Sequence, residues 1–472
     1  MEFIWEQIDE FIEASGIENF SAGPLHQPIK ELRIKRRDDY SLGLTTTCDA
    51  GAQSEREEVP AGTVYDNKSS VEFDNKICDV KCIGIGSNTV NIKDPPGELY
   101  ERSSFNRLII EPKQKYAIDY TIEFVLTNRS AFIWPDGSII EKSGSSKLRI
   151  GGDKEFEVEK SSSFKNFGRD SILLDIGGMK VALYNTSISS KTEGPEKLLI
   201  FFEGSIEKNI RNKVRDIVGY LLGQPLIYIG EAEADKTLKI SKQVLISPYT
   251  VNGAVFNIPS LPPAPLGTKS TDGFSNMLDS ALFNECVNSL YNQYDEIKFK
   301  HLYWLYWRAR CLPFDISIVF YSAAIEALER AFFENNKELR NSGLLPKAEF
   351  KKLKNSLLDT LGESNIADKL KDLLKRKIEN LNSLPKSILT ERFFSTIGIT
   401  LGKLEQEAWK RRNDSAHGNQ VDDEDVIEYI RANKLVKGIL DRAVLSIMNT
   451  QEFYFDYYSI GHPLRYLPDV PE

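Results

Sequence analysis

Two arginines and a histidine fall within seven consecutive residues of the run Trp409-Lys410-Arg411-Arg412-Asn413-Asp414-Ser415-Ala416-His417-Gly418. An arginine presents a planar fork of donors that grips phosphate in two places and keeps its charge at any physiological pH. A histidine titrates near neutrality and can give or take a proton. This one is among only four in the chain. Together these residue types suit phosphodiester chemistry on RNA, which carries its own nucleophile in the 2′-hydroxyl. Metal-free cleavage needs a base for that proton, an acid for the leaving 5′-oxygen and positive charge on the phosphorane. Arg412 can supply the charge and His417 can act as acid or base. One histidine does not readily do both, so a two-fold dimer that joins two copies of the motif meets the requirement.

The elements around the run must position it. Residues 389–412 read as a helix, and Asp425–Met448 reads as a last long one. Gly418 and Asn419 mark a helix end between them. On a continuous helix Arg412 and His417 would stand ~140° apart. At a terminating end the chain can bring both onto one rim, and Asn413 already shares a face with His417 at four residues' spacing. The plain structural alternative is that arginines and a histidine at a helix end serve the dipole and the cap.

A chain of 472 residues is long enough for two or three domains. The net charge of −9 and pI near 5.4 argue against a general electrostatic grip on nucleic acid, although not against a local basic site. No run of eighteen apolar residues exists, and the N-terminus begins acidic without an apolar stretch. These features predict a cytoplasmic protein with no membrane span. Cys78 and Cys82 form a lone CxxxC without a second pair or a nearby histidine, so neither a metal nor another cofactor is expected.

Residues 3–14 carry a helical apolar stripe. From about 30 to 200 the pattern turns to period-two runs such as Leu32–Arg36, Tyr116–Leu126, Ile172–Ile176 and Lys197–Phe202. Pro135-Asp136-Gly137, Gly151-Gly152 and Gly177-Gly178 separate some of them. That predicts a mainly antiparallel β domain. One amphipathic helix is expected over Ser205–Leu222, capped by Ser205 and ended by Gly223. The expected boundaries are a β-rich α+β domain at 1–257, a proline-rich linker at 258–272 and an all-α domain at 273–472. Within the last, Ile316–Phe333 is apolar on nearly every side and should form the centre of a helical bundle. Residues 347–383 read as a charged, lysine-rich hairpin, either a solvated face or a surface lying along RNA. The aromatic residues of Tyr303-Trp304-Leu305-Tyr306-Trp307 could stack bases or fill the core. The aromatic tail Phe453–Tyr458 needs a surface, its own domain's or a partner's.

The C-terminal half resembles the HEPN domains (higher eukaryotes and prokaryotes nucleotide-binding). Arg412-Asn413 with four residues between Arg412 and His417 matches their RX4–6H motif. Trp307-Arg-Ala-Arg and Tyr321-Ser-Ala-Ala-Ile-Glu-Ala-Leu-Glu precede it as in the Apea-like subgroup, where a β-rich domain comes first. The resemblance spans roughly 275–450. It implies a metal-independent endoribonuclease of antiphage defence, acting by abortive infection as a dimer. Arg412 and His417 would be the catalytic pair and Asn413 the supporting polar residue. Arg411 lies outside the strict motif and reads as a phosphate contact or a cap. Glu326, on the otherwise apolar central helix, is a candidate partner for a motif arginine, and Glu329 shares that helix. The hairpin at 347–383 looks like an insertion. By domain order alone, the β-rich half would sense an unknown phage or cellular trigger or restrain the nuclease. The alternative is a non-catalytic HEPN module that binds RNA or a protein partner.

Overall fold

A computed structural model describes residues 25–471 except 54–64, 74–75, 86–87, 93–96, 128–135, 144, 151–155, 161–166, 187–194, 249–265, 267–278, 342, 417–421 and 423. It shows an antiparallel β-rich region followed by an all-helical region, and the chain divides into compact units at 1–291 and 292–472. The division falls later than the expected linker, because the helix Ser280–Gln293 begins on the first unit. There the Asn284 and Asn288 side chains accept hydrogen bonds from the backbone amides of Asp175 and Gly177. Of the expected linker only Leu266 is described, and it is buried. The expected helix at 3–14 lies outside the described residues.

The strands of the first unit run in chain order as β1 (Gln27–Arg36), β2 (Leu42–Gln53), β3 (Tyr65–Phe73), β4 (Lys76–Ile85), β5 (Asn88–Ile92), β6 (Glu98–Phe105), β7 (Arg107–Pro112) and β8 (Tyr120–Thr127). There follow β9 (Asp136–Ser143), β10 (Ser145–Ile150), β11 (Phe156–Lys160), β12 (Phe167–Ile176), β13 (Met179–Asn185), β14 (Glu196–Glu203), β15 (Ile227–Ala234) and β16 (Ile240–Ile246). Twelve of them make one sheet in the order β11-β10-β9-β12-β13-β14-β8-β15-β16-β7-β4-β3, and the other four make a second in the order β1-β2-β6-β5. Short turns explain the antiparallel pairing. Between β12 and β13, Gly177 and Gly178 take φ of 59° and 85°, the pair of left-handed residues that a two-residue hairpin requires.

Strand β8 is buried along its whole length, which places it under cover on both faces. One face is apolar through Ile122, Phe124 and Leu126. The other carries Glu123, which lies under helix α1 (Lys208–Leu221). Glu123 is fully buried and is answered by Arg211 at 3.0 Å and Arg215 at 2.6 Å, both from that helix. Arg211 also pairs with Glu231 of β15. A buried carboxylate without such partners would be prohibitive, so these ion pairs fix how the helix sits on the sheet. Helix α1 starts at Lys208 rather than after Ser205, and Gly223 closes it in a Schellman turn as expected.

Helix α2 (Ser280–Gln293) leads to the second unit. There α3 (Phe299–Cys311), α4 (Phe314–Asn335), α5 (Lys337–Asn341), α6 (Lys347–Glu363), α7 (Asp368–Glu379), α8 (Lys386–Thr396), α9 (Lys403–Ala416) and α10 (Val426–Met448) follow. Helix α4 is the centre, packed against α3, α8, α9 and α10. Its small residues Ala324 and Ala331 are fully buried, which lets neighbours approach closely. The single helix expected at 389–412 is two helices, α8 and α9. Gly398, at φ 73°, ends the first of them: its amide bonds Ser395 O and that of Ile399 bonds Phe394 O, again a Schellman turn. Helices α6 and α7 form the expected hairpin, and neither buries a residue.

The aromatic tail folds back on its own unit. It pairs β17 (Phe453–Phe455) with β18 (Leu464–Tyr466). Arg442 of α10 holds it from below, donating from Nε to Leu467 O at 2.9 Å.

Candidate functional site

Helix α9 carries the arginine pair. It begins at Lys403 and places Arg411 and Arg412 in its last third. Consecutive residues on a helix diverge by ~100°, so the two arginines reach different neighbours. Arg412 turns to α4, where Nη1 donates to Glu326 Oε1 at 2.6 Å. Its guanidinium carbon lies 3.8 Å from the centroid of the Trp409 ring, one turn back on the same helix. Arg411 turns to α10. Its Nη2 stands 3.9 Å from Glu428 Oε2, and its guanidinium lies 5.9 Å from the Tyr429 ring.

The environment of Arg412 is half dry. Its side chain is 16% exposed and that of Glu326 is 34% exposed. Glu326 and Trp409 hold it on two sides, which limits the rotamer freedom an arginine would otherwise lose on binding an anion. Among the described residues, Glu326 takes one nitrogen of a fork that carries five N–H donors. Glu329, one turn further along α4, does something else. It is buried, accepts from Thr390 Oγ1 at 3.0 Å and faces Lys386 Nζ at 2.9 Å, both on α8. Of the two carboxylates weighed on this helix, then, Glu326 is the one beside the motif arginine.

Asn413 lies in α9, but its side chain is outside the described residues, and His417 lies outside them altogether. The aromatic cluster on α3 divides. Tyr306 and Trp307 are buried, with ring centroids 5.1 Å apart and edge to face, and they belong to the core. Trp304 is 50% exposed, stacked on His301 with Arg308 at 5.5 Å from its ring.

Sequence reasoning missed the anchor of α9. Glu405, in its first turn, is 1% exposed and pairs with the fully buried Arg442 of α10 at 2.6 Å. Glu405 also accepts from the Gly402 amide at 3.0 Å, closing the helix start. The available signal was an arginine in the apolar stripe of α10, which needs a carboxylate partner. Among the described residues no group of three metal-ligating side chains occurs, and no helix is long and apolar enough to cross a membrane.

Searches of protein-family models, curated proteins and solved structures find no match to this chain.

Proposed function

We propose that this protein is a metal-independent endoribonuclease of the HEPN type, cytoplasmic and working in antiphage defence by abortive infection. In this reading Arg412 and His417 are the catalytic pair and two copies of the chain form the working unit. The 2′-oxygen of RNA attacks its own phosphorus while a His417 imidazole takes the proton. The bond from phosphorus to the 5′-oxygen breaks, and the 5′-oxygen receives a proton from the imidazolium of the second copy. The products are a 2′,3′-cyclic phosphate and a free 5′-hydroxyl. Arg412 holds the charge that builds on the phosphorane. Asn413 supports the pair, and the β-rich unit senses a trigger or restrains cleavage.

The observation that carries this reading is the setting of Arg412. Its guanidinium is held by Glu326 at 2.6 Å and by the Trp409 ring, five residues before the histidine. A phosphate-binding group that is fixed before substrate arrives loses little entropy in use. The same observation favours a second reading. An arginine with a carboxylate and an indole can be a clamp between α9 and α4, in a HEPN-like module that binds RNA or a protein without cutting.

Two variants separate the readings. Arg412→Ala and His417→Ala should each fold, keep the oligomeric state and lose cleavage of a single-stranded RNA, with EDTA leaving the wild type active. Cleavage that survives in both variants refutes the nuclease. A wild type that binds RNA without cutting it, together with unfolding of Arg412→Ala, establishes the clamp.

A further inference from the structure

The sheet face beneath α1 carries more positive charge than its carboxylates match. The strand register shows which side chains share that face. Glu231 of β15 lies opposite Val244 of β16, and Val244 lies opposite Ile109 of β7. Residues directly opposite one another project to the same side of a sheet, and so do residues two apart on one strand. Arg107, two residues before Ile109, therefore stands on the face of Glu231, which Arg211 of α1 contacts. Only β16 lies between β7 and β15, so the two strands are about 10 Å apart.

Most cations on this face are matched. Arg211 and Arg215 are held by Glu123 and Glu231, and Lys115 and Lys242 share Glu111. Arg107 and Lys208 are not. The Nε of Arg107 is buried and makes no hydrogen bond, and among the described residues no carboxylate pairs with its guanidinium. Lys208, in the first turn of α1, has no ion pair among them either. Its ammonium lies 5.6 Å from the centroid of the Tyr228 ring, where the Arg215 guanidinium also sits, at 4.8 Å. The Tyr228 hydroxyl donates to Glu231 at 2.6 Å, so this side chain is a wall of the site and not a donor to it. Partial desolvation lowers the pKa of Lys208; Glu231 opposes this, while the charges of Arg107, Arg215 and Arg211 lower it further. Arg107 and Lys208 thus feel one another across the edge of α1.

A buried guanidinium N–H without an acceptor is costly, and an anion seated beside it would offset that cost. We infer that Arg107 and Lys208 bind the phosphate group of a small phosphorylated molecule between β7 and the start of α1. An arginine fork takes two phosphate oxygens and a lysine ammonium takes another as a point charge. Two unmatched cations suit a doubly charged phosphate better than a singly charged carboxylate. A nucleic-acid backbone would need a track of open cations, whereas the neighbouring ones are already paired. Lys208 is exposed, which leaves the site open to solvent. The inference does not depend on the nuclease reading.

Titration calorimetry of the full chain with inorganic pyrophosphate, in a phosphate-free buffer at physiological salt, tests it. Saturable one-site binding is expected, weakened roughly tenfold or more in Arg107→Gln and in Lys208→Gln. Lys236→Gln, an exposed lysine in the turn between β15 and β16, should bind as the wild type does. Thermal unfolding of each variant checks that it is folded; should Arg107→Gln unfold, the exposed Lys208→Gln carries the comparison. No saturable binding to the wild type overturns the inference. So does equal weakening in Lys236→Gln, which would mean diffuse attraction. Displacement of pyrophosphate by a single-stranded oligoribonucleotide at a lower total phosphate concentration also overturns it, since that would mean a nucleic-acid surface.

Discussion

Replacing Arg442 by methionine should destabilise the helical unit more than any surface change. Arg442 is fully buried, and its fork donates to Glu405 Oε1 at 2.6 Å and to the backbone carbonyls of Leu467 at 2.9 Å, Thr400 at 3.2 Å and Pro468 at 3.5 Å. Methionine has a similar length and fills most of the space. The loss is therefore electrostatic. Glu405, at 1% exposure, would be left buried with the Gly402 amide and no cation. Breaking a buried pair from one side costs about 3–5 kcal/mol. At roughly 2–4 °C per kcal/mol for a unit of this size, the unfolding midpoint should fall by about 10 °C. Tryptophan fluorescence is a suitable probe, since Trp304, Trp307 and Trp409 all lie in this unit. The double variant Arg442→Met with Glu405→Leu should recover much of the loss, because it removes both charges from the interior. A shift below about 2 °C in the single variant, or a double variant worse than the single one, would refute the reasoning.

Three further outcomes are expected. Glu326→Ala should leave the unfolding midpoint nearly unchanged, since the pair is partly exposed and worth at most about 1 kcal/mol; RNA cleavage should nevertheless fall by roughly tenfold or more as Arg412 loses its orientation, which a single-turnover assay would measure. Gly230→Ala should destabilise the β-rich unit by about 1–3 kcal/mol, because an added Cβ would lie 2.5 Å from Val244 O; urea unfolding followed by circular dichroism reads this. Asp456 anchors the tail: burial pushes its pKa up, but hydrogen bonds from Ser459, Arg465 and the Tyr458 and Ser459 amides outweigh burial and hold it below the ordinary 3.8. Its contribution is thus complete above the ordinary carboxylate range and is lost as pH falls through the depressed value, so the protection of the tail amides, taken relative to the intrinsic exchange rate at each pH, should fall in strong acid and stay level between pH 5 and 8.

How much of this was legible in the sequence depended on whether the signal was local. The β-rich half showed itself through alternation, and the hairpin at Gly177-Gly178 through its turn residues, because both are set by neighbours in the chain. The order of strands was not legible: β8 pairs with β14 and β15, about seventy to more than a hundred residues away, and nothing local encodes that choice. The centrality of α4 followed from its apolar surface, and the pairing of Glu326 with an arginine of the motif followed from the cost of leaving a carboxylate among apolar neighbours. The break at Gly398 is masked in the sequence because the apolar pattern resumes beyond it, although a glycine followed by an apolar residue is a common Schellman ending. Arg442 with Glu405 and Arg211 with Glu123 were hidden for a shared reason. A charged residue in an amphipathic stripe looks like noise until its partner, distant in sequence, is known.

The two ion pairs on α9 also explain why Arg412 stands where it does. Glu405 and Arg412 are seven residues apart, close to two full turns, so both project from nearly the same side of the helix. One reaches Arg442 on α10 and the other reaches Glu326 on α4. Apolar packing alone would tolerate a slip of the helix by a turn, because small and medium side chains can exchange places in a groove. A slip of even one residue would move each charge by ~1.5 Å along the axis and ~100° around it. Both pairs would break together, and Glu405 would be left buried without its cation. The register of α9 is therefore fixed at its first turn by a buried pair and again near its end by a half-exposed one. The buried pair holds the helix in place, so loss of the half-exposed one, as in Glu326→Ala, should free the Arg412 side chain without moving the helix.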